Sequence, residues 1–190
     1  MGDTYHHGNL KEQLILAGME IITNEGVGAL SIRKAAERCS VSHAAPYSHF
    51  KNKDEYLRKI NEFAGERFAE ALEESLKYDK GDMVEMAKAY VRFFTKNPMF
   101  YDFYMKYADF DIDIGETELK CRNSRAFDIF KRSADEYLSR LGVPEEKRAL
   151  NTIKMWTVVQ GITMLAVMPG VKCDTDWEEY TEKILEEAVL

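Results

Sequence analysis

The stretch Ser40–Leu57, which reads SVSHAAPYSHFKNKDEYL, carries the residues with the clearest chemical potential. Tyr47 and His49 can donate hydrogen bonds, and Lys53 places a positive charge at the predicted start of a helix, where backbone N–H groups also favour an anion. Phosphate oxygens accept such hydrogen bonds and are negatively charged. Small residues such as Ala44 permit close approach to a groove. The pattern therefore favours contact with nucleic acid over catalysis.

The predicted third helix, from Ser42 to about Phe50, has no Arg, Lys, Asn or Gln, the residue types that bind guanine or adenine through two hydrogen bonds. Base recognition is therefore expected from His43, and from Arg33 or Lys34 at the start of the second helix. Small alanines suit contact with thymine methyl groups. The complete predicted DNA-binding set is Arg33, Lys34, Ser42, His43, Ala44, Tyr47, His49 and Lys53.

Enzymatic chemistry finds little support in the sequence. The pairs Ser42-His43 and Ser48-His49 are sequence neighbours, which is not how a nucleophile and its base are usually presented, and no strained elbow accompanies them. No glycine-rich loop of the kind that cradles phosphate is present. We predict no catalytic residue and no cofactor.

Metal binding is equally weak as an interpretation. The segment 109–120 places carboxylates at the first, third and fifth positions of a calcium loop, but Ile114 replaces the required glycine and Lys120 replaces the final glutamate. His6 and His7 lack a further ligand at metal spacing. We therefore expect a solvated connection at 109–120 and no metal site.

Helical periodicity extends along the whole chain, and no window of useful length alternates with period two. An apolar stripe from Leu10 predicts a first helix that ends near Gly26. Ser31 is a predicted N-cap of the second helix, and Asn52 is a predicted N-cap of a long helix that ends near Tyr78. Further helices are predicted over about 82–96, 98–108, 116–140, 145–168 and 176–189. The predicted fold class is all-α, without a sheet.

The first three helices form a predicted helix-turn-helix unit, because the second and third are separated by a turn of about three residues. Val41 and Phe50 are expected to anchor the third helix to the core. We predict a DNA-binding domain over 1–52 and a larger helical bundle for ligand binding and dimerisation over 53–190.

The segments HHGNLKEQLILAGMEIITNEG and LSIRKAAERCSVSHAAPYSHFKNKDEYL resemble the DNA-binding segment of the TetR family of bacterial transcriptional regulators. The resemblance covers about the first 60 residues. It implies an all-helical homodimer with a variable C-terminal ligand-binding domain and release from operator DNA on ligand binding. The match includes Leu30-Ser31, Ala35-Ala36, Val41-Ser42 and Tyr47-x-His49-Phe50-x-x-Lys53.

Two segments depart from the family pattern. Cys39-Ser40 stands where Ala-Gly is usual, so Ser40 must adopt a backbone geometry that glycine adopts at lower cost. The segment WTVVQG at 156–161 is similar to a Trp-x-x-x-His-Gly signature of one group of these regulators, with Gln160 in place of histidine.

The charge of the chain is distributed unevenly. The net charge is −7, yet residues 1–60 carry 8 Lys and Arg against 7 Asp and Glu, while residues 61–190 carry 18 against 26. Such asymmetry is consistent with a polyanion at the first segment only. Three distant cysteines without a CxxC pair suit a reducing cytoplasm. The most apolar run, 155–168, is too short and too polar for a membrane span.

Aromatic residues are concentrated between positions 90 and 110, and they predict either a packed core or an apolar effector pocket within 90–165. The effector is expected to be an apolar or aromatic small molecule. The predicted ligand-binding residues are Phe94, Phe103, Tyr104, Tyr107, Trp156 and Gln160.

The predicted helix over 145–168 is apolar on two faces, and a helix with two apolar faces must bury both. We therefore predict a homodimer through about 145–168 and 174–189. The interpretation at this point is a ligand-responsive DNA-binding regulator, most consistent with a repressor on a palindromic operator. The alternative is an all-helical small-molecule-binding or catalytic domain with a vestigial DNA-binding head.

Overall fold

The computed structural model describes residues 10–77, 83–115 and 118–187. Within those residues the chain forms eight α-helices, two short 3₁₀ turns and one two-stranded antiparallel sheet. The all-α fold class is therefore confirmed, with a small hairpin added. The helices are α1 (Leu10–Glu25), α2 (Ile32–Arg38), α3 (Lys53–Ser75), α4 (Met83–Lys96), α5 (Pro98–Tyr107), α6 (Arg125–Arg140), α7 (Glu145–Val167) and α8 (Trp177–Glu187).

The chain divides into two compact units. The first holds the described residues up to Ala64 together with Asp102–Ala108, and the second holds Gly65–Tyr101 and the described residues from Asp109 onward. The division of the structure falls inside α3, whereas the sequence suggests a functional boundary after residue 52. That functional boundary stays a prediction.

The core of the first unit is built around Tyr56 on α3. Its side chain is fully buried and its hydroxyl donates a hydrogen bond to the carbonyl oxygen of Leu14 on α1. The ring of Phe50 packs against it, with 4.6 Å between centroids. A Cβ atom added to Gly18 would lie 2.4 Å from the Tyr56 hydroxyl, so the glycine is what allows α1 to pack at this position.

The C-terminal end of α2 forms the tight turn of the helix-turn-helix. Ser40 has a φ of 55°, its N–H donates to Glu37 O, and the N–H of Val41 donates to Ala36 O at 3.0 Å. These two bonds define a Schellman motif, in which the position after the C-cap is left-handed. The prediction that Ser40 adopts a conformation suited to glycine is confirmed.

The predicted third α-helix is wrong in type. Residues Ala45–Ser48 form a 3₁₀ turn, and Ser42 does not cap an α-helix. The cause is Pro46, which has no N–H to donate to Ser42 O across a full helical turn. The carbonyl of Ser42 accepts instead from Ala45 N at 3.0 Å, and Ala44 O accepts from Tyr47 N at 3.2 Å. The segment is therefore a tight loop.

The second unit is organised around α4, which packs against α6, α7 and α8. Its buried face includes Tyr90, Val91 and Phe94. Two ion pairs join α4 to α8: Arg92 with Glu178, and Lys88 with Glu182 at 3.1 Å. The two pairs lie one helical turn apart on each helix.

The expectation that the chain has no sheet is wrong, and the helix expected over 116–140 begins later than predicted. Strands β1 (Asp111–Ile114) and β2 (Leu119–Arg122) pair antiparallel, with Asp111 opposite Arg122 and Ile114 opposite Leu119. The helix α6 begins only at Arg125, where the hydroxyl of Ser124 accepts from Phe127 N at 3.2 Å. Ser124 therefore ends the hairpin and starts the helix.

The two apolar faces expected of α7 are present, and the structure separates them. Met155, Val159 and Ile162 are buried, whereas Leu150 and Met164 are 54% and 49% exposed. Among the described residues, no helix is both long enough and apolar enough to cross a membrane.

Candidate nucleic-acid interface

The predicted DNA-binding residues all lie in the first unit, on α2, on the loop that follows it and at the start of α3. Ser42, His43, Ala44, Tyr47 and Lys53 are exposed, and Tyr47 is 58% exposed although it is a large aromatic residue. The buried Pro46 and Phe50 hold this loop on the core from beneath. The loop thus presents polar and small side chains on a fixed base.

Glu37 is the centre of the most exposed cluster on this surface. Its Oε1 accepts a hydrogen bond from Nε of Arg33 at 3.3 Å, and Nε2 of His43 lies 3.1 Å from the same oxygen. The Arg33 side chain is 71% exposed. The structure therefore brings together two of the residues expected to read bases, Arg33 and His43, through a carboxylate that sequence reasoning missed. Its position one helical turn after Arg33 was the available signal.

Lys34 belongs to a different cluster. Its Nζ pairs with Glu25 of α1, whose other oxygen accepts from Arg38 at 3.0 Å, and Arg38 also reaches Glu20 at 2.8 Å. The hydrogen bond from Lys34 is the main cause that lowers the pKa of Glu25. Lys34 is half-buried, and in this structure it ties α1 to α2.

At the start of α3, side chains of the same segment accept hydrogen bonds from backbone N–H groups. The Oδ1 of Asn52 accepts from Glu55 N at 2.8 Å, and a carboxylate oxygen of Glu55 accepts from Lys51 N at 2.8 Å. Asn52 is thus the N-cap that the sequence predicted. Lys53 Nζ donates to Gly28 O at 3.3 Å, which places its charge over the 3₁₀ turn Val27–Ala29. The exposed ammonium group of Lys53 can still bind an anion at the start of α3.

His49 differs from its neighbours because it is half-buried. Its ring lies 6.1 Å from that of Phe50, centroid to centroid. The Ser48 hydroxyl donates to Ala45 O at 2.8 Å, and among the described residues no serine donates to His43 or His49. The neighbouring serines and histidines are therefore not arranged as nucleophile and base.

The predicted ligand-binding residues are divided between the units. Phe103, Tyr104 and Tyr107 lie on the part of α5 that belongs to the first unit, and Phe94, Trp156 and Gln160 lie in the second. Phe94 and Phe103 are fully buried. In this structure both rings are packing residues.

The second unit contains two groups of aromatic rings, one around Phe68 and one around Phe127. The ring of Phe68 lies 4.7 Å from Phe94 and 4.8 Å from Tyr90, and Trp156 packs edge-on against Phe127 at 5.0 Å. The hydroxyl of Tyr90 donates to Oε1 of Gln160. Tyr90 is missing from the predicted set, although it opens the aromatic run that the sequence singles out.

In the described part of the chain, no three His, Cys, Asp or Glu side chains lie close enough together to hold a metal ion. In the segment that partly matches a calcium loop, Asp111 and Asp113 instead face Arg122 at 3.2 and 3.7 Å. His6 and His7 lie outside the described residues.

Two family models match the chain. The one described as "Bacterial regulatory proteins, tetR family" matches residues 14–60, and the one described as "Tetracyclin repressor-like, C-terminal domain" matches residues 83–188. No curated protein matches the chain by sequence search.

Solved structures with the same fold include a protein of unknown function from Rhodococcus sp. RHA1, at 21% identity and a TM-score of 0.66, covering 97% of this chain and 96% of that one. FadR from Bacillus subtilis, solved in complex with stearoyl-CoA, has 19% identity and a TM-score of 0.62, covering 92% and 95%. PfmR from Thermus thermophilus, a TetR family transcriptional regulator, has 18% identity and a TM-score of 0.60, covering 92% and 95%. At these identities the likeness shows the fold.

Proposed function

The chain belongs to the TetR family of bacterial regulatory proteins, as a ligand-responsive DNA-binding transcriptional regulator, and from this premise we propose that it is a repressor that binds a palindromic operator as a two-fold dimer. An apolar or aromatic small molecule releases it. Its place of action is the cytoplasm, where operator DNA is found. The observation that carries the proposal is the exposed loop after α2, held on a buried base.

The DNA contacts divide by role. Lys53, Tyr47 and His49 bind phosphate oxygens, and Ser42 supports them with its hydroxyl. Phosphate contacts position a protein on the duplex without reading sequence. Arg33 and His43 approach base edges, because their side chains form the exposed cluster at the outer side of α2. Ala44 is exposed and small, which suits contact with a thymine methyl group.

Dimerisation uses the exposed face of α7 with α8. The apolar side chains on this face are exposed in the single chain: Leu150 by 54%, Met164 by 49% and Met168 by 45%. Tyr180 on α8 is 39% exposed. Large apolar side chains exposed along one helix face favour an interaction site, and a two-fold axis brings identical faces together. Light scattering is expected to give twice 21.9 kDa.

The dimer proposal has a direct test on that face. Met164→Glu places a charge in the middle of the proposed interface and should convert the dimer into a folded monomer. Arg132→Gln, at an exposed position of α6, changes the net charge by the same amount outside the apolar stripe. A wild-type protein that remains monomeric at micromolar concentration would contradict the proposal.

The effector binds within the second unit, beside the hydrogen bond between Tyr90 and Gln160. Both groups are polar and lie among aromatic rings, which is the usual composition of a small-molecule site. Trp156 is half-buried and lies on the same helix as Gln160. FadR of Bacillus subtilis was solved with stearoyl-CoA, and for this chain the effector class rests on its own aromatic residues.

The link between effector and operator is assigned to α3, one continuous helix whose residues are shared by both units. A ligand shifts DNA affinity only through a difference in its affinity for two states, and the coupling is reciprocal, at about 1–3 kcal/mol. Calorimetry of an effector found by thermal-shift screening should therefore show weaker binding when operator is present. Equal affinity in both titrations would show that ligand binding does not regulate DNA binding.

The proposal also assigns no catalytic activity to the chain. The rival interpretation is a small-molecule-binding or catalytic domain with a vestigial DNA-binding head. Salt-sensitive, sequence-selective DNA binding by the purified protein separates the two, since a vestigial head would not retain it.

The principal experiment measures binding to a duplex from the DNA upstream of the coding region that contains an inverted repeat, against a scrambled duplex of equal length. Lys53→Ala should weaken binding to both duplexes and lower the salt slope by about one per subunit. Lys59→Ala is the matched control, because Lys59 pairs with Glu62 along α3. Equal wild-type affinity for both duplexes at every salt concentration would contradict the proposed function.

A further inference from the structure

Glu37 stands out because it brings a negative charge to a surface proposed to meet a polyanion. Its side chain is 55% exposed, so burial does not require it there. Each carboxylate on a DNA-binding surface repels phosphate and weakens binding to every sequence. A residue with that cost on this surface needs a function that a neutral residue would not perform equally well.

The contacts of Glu37 indicate that function. One oxygen, Oε1, accepts from the Nε of Arg33 at 3.3 Å and lies 3.1 Å from Nε2 of His43. The bond therefore uses the inner nitrogen of the guanidinium group. Within the part of the chain that the structure describes, the two terminal nitrogens of Arg33 have no hydrogen-bond partner. Those two nitrogens are the pair that binds guanine O6 and N7.

We infer that Glu37 is a positioning residue for base reading. By holding Nε, its carboxylate orients the terminal nitrogens of Arg33 toward a base edge and reduces the side-chain entropy that an exposed arginine loses on binding. By facing Nε2 of His43, it also holds that ring beside the same base pair. This inference rests on the proposed function, and it adds a residue that determines sequence preference without contacting DNA.

Two other roles of Glu37 predict different results. If the carboxylate acted only by repulsion, its removal would strengthen binding to all sequences equally. If it accepted directly from a cytosine amino group, as carboxylates can, its effect would not depend on Arg33. Positioning predicts that removal strengthens non-selective binding, weakens the preference, and depends on Arg33.

The test uses Glu37→Ala and Glu37→Gln in the full chain, with a duplex that wild-type protein selects from a random pool and a scrambled duplex of the same composition. Both variants should bind the scrambled duplex more tightly, because one negative charge per subunit is gone. Glu37→Ala should lose about fivefold to tenfold of the preference for the selected duplex. Glu37→Gln should keep most of it, because its amide oxygen can still accept from Nε.

The control and the double variant complete the design. Glu62→Gln removes an exposed carboxylate that pairs with Arg58 and Lys59 along α3, and should leave the preference unchanged. In an Arg33→Ala background, Glu37→Ala should alter the preference much less, because only the contact with His43 remains. Retention of the preference by Glu37→Ala, or an equal loss in the Arg33→Ala background, would overturn the inference while leaving the proposed function intact. A wild-type protein that selects no sequence from the pool would overturn both.

Discussion

The two units of the molecule are specified in different ways. In the first unit, single backbone positions decide the geometry: Gly18 admits the buried Tyr56, and Ser40 adopts a left-handed conformation at the end of α2. In the second unit, the core around α4 is a set of aromatic rings, where Phe68 lies within about 5 Å of several others. A change in one ring is shared by many neighbours, whereas an added atom at Gly18 meets the fully buried side chains of Tyr56 and Ile60.

The largest expected effect is at Gly18. In Gly18→Ala the new methyl group would lie 2.4 Å from the Tyr56 hydroxyl and 2.6 Å from Cδ1 of Ile60. The tyrosine cannot move without losing its hydrogen bond to Leu14 O. Overpacking of this kind costs about 3 kcal/mol, near the upper end of the usual range. Urea unfolding at a fixed protein concentration measures it.

A second helical glycine supplies the control. Gly65 lies inside α3, and a methyl group added there would meet no atom beyond the backbone of its own helix within 4 Å. Gly65→Ala should therefore increase stability by about 0.5–1 kcal/mol. Opposite signs at the two helical glycines would support the comparison. A cost at Gly18 no larger than a few tenths of a kcal/mol would mean that α1 shifts freely and that close approach does not define the first unit.

The next effect concerns the aromatic core of the second unit. Phe68→Leu removes ring contacts to Tyr90, Phe93 and Phe94 but keeps most of the apolar volume. We expect a loss of about 1–1.5 kcal/mol, because a swap of similar volume is tolerated better than a new clash. Thermal unfolding followed by circular dichroism measures it. A loss that exceeds the one at Gly18 would reverse the comparison between the units.

This difference also explains what the sequence could predict. Caps and turns depend on particular residue types, so Ser31, Asn52 and the strained turn at Ser40 are all predictable from the sequence. The 3₁₀ turn is not predictable in this way. A proline near the start of a helix is usually tolerated, and whether it shortens the helix to a 3₁₀ turn depends on the hydrogen bonds that the neighbouring carbonyl groups accept instead. The hairpin escapes prediction because its alternating stretch, Asp111–Ile114, is only four residues long.

The candidate site follows the same division. Tyr47, Arg33 and His43 are exposed, as expected of outward positions on a short helical motif, and their roles on DNA stay predictions. The sequence could not identify Glu37 as part of the site, because an exposed glutamate is common on any helix. The ligand set was least predictable, since aromatic residues that fill a core and those that line a site have the same spacing.

A smaller effect tests the turn at the end of α2 against its counterpart at the end of α6. Both ends form Schellman motifs, but the left-handed position is Ser40 in one and Gly142 in the other, with φ values of 55° and 75°. Ser40→Gly should therefore stabilise the protein by about 0.5–1 kcal/mol, and Gly142→Ser should destabilise it by a similar amount.

Both variants are measured by urea unfolding against wild-type protein. A Cβ atom added at Gly142 meets no other atom within 4 Å, so backbone conformation is the sole difference expected there. The same sign for both substitutions would show that side-chain contacts, and not the left-handed backbone, decide the stability of these two helix ends.

The smallest effect concerns the ion pair between Arg92 and Glu178, which joins α4 to α8. The hydrogen bond from Arg92 is the largest cause that lowers the pKa of Glu178 below its usual range. In the unfolded chain this carboxyl titrates at about pH 4.3. The folded state therefore binds fewer protons, so the contribution of the pair is present above that pH and is lost as the pH falls through the lowered folded value.

Glu178→Gln should accordingly remove part of the loss of stability between neutral and strongly acidic pH. The size expected is about 0.2–1 kcal/mol, because both partners are partly exposed and solvent screens the pair. Urea is the suitable denaturant, since guanidinium salts would screen the charges as well. Glu25→Gln is the counterpart in the first unit, where Lys34 lowers the pKa of Glu25 in the same direction. If Glu178→Gln leaves the pH dependence unchanged while Glu25→Gln reduces it, then the pair with Arg92 does not stabilise the second unit, and apolar contacts hold α8 on α4.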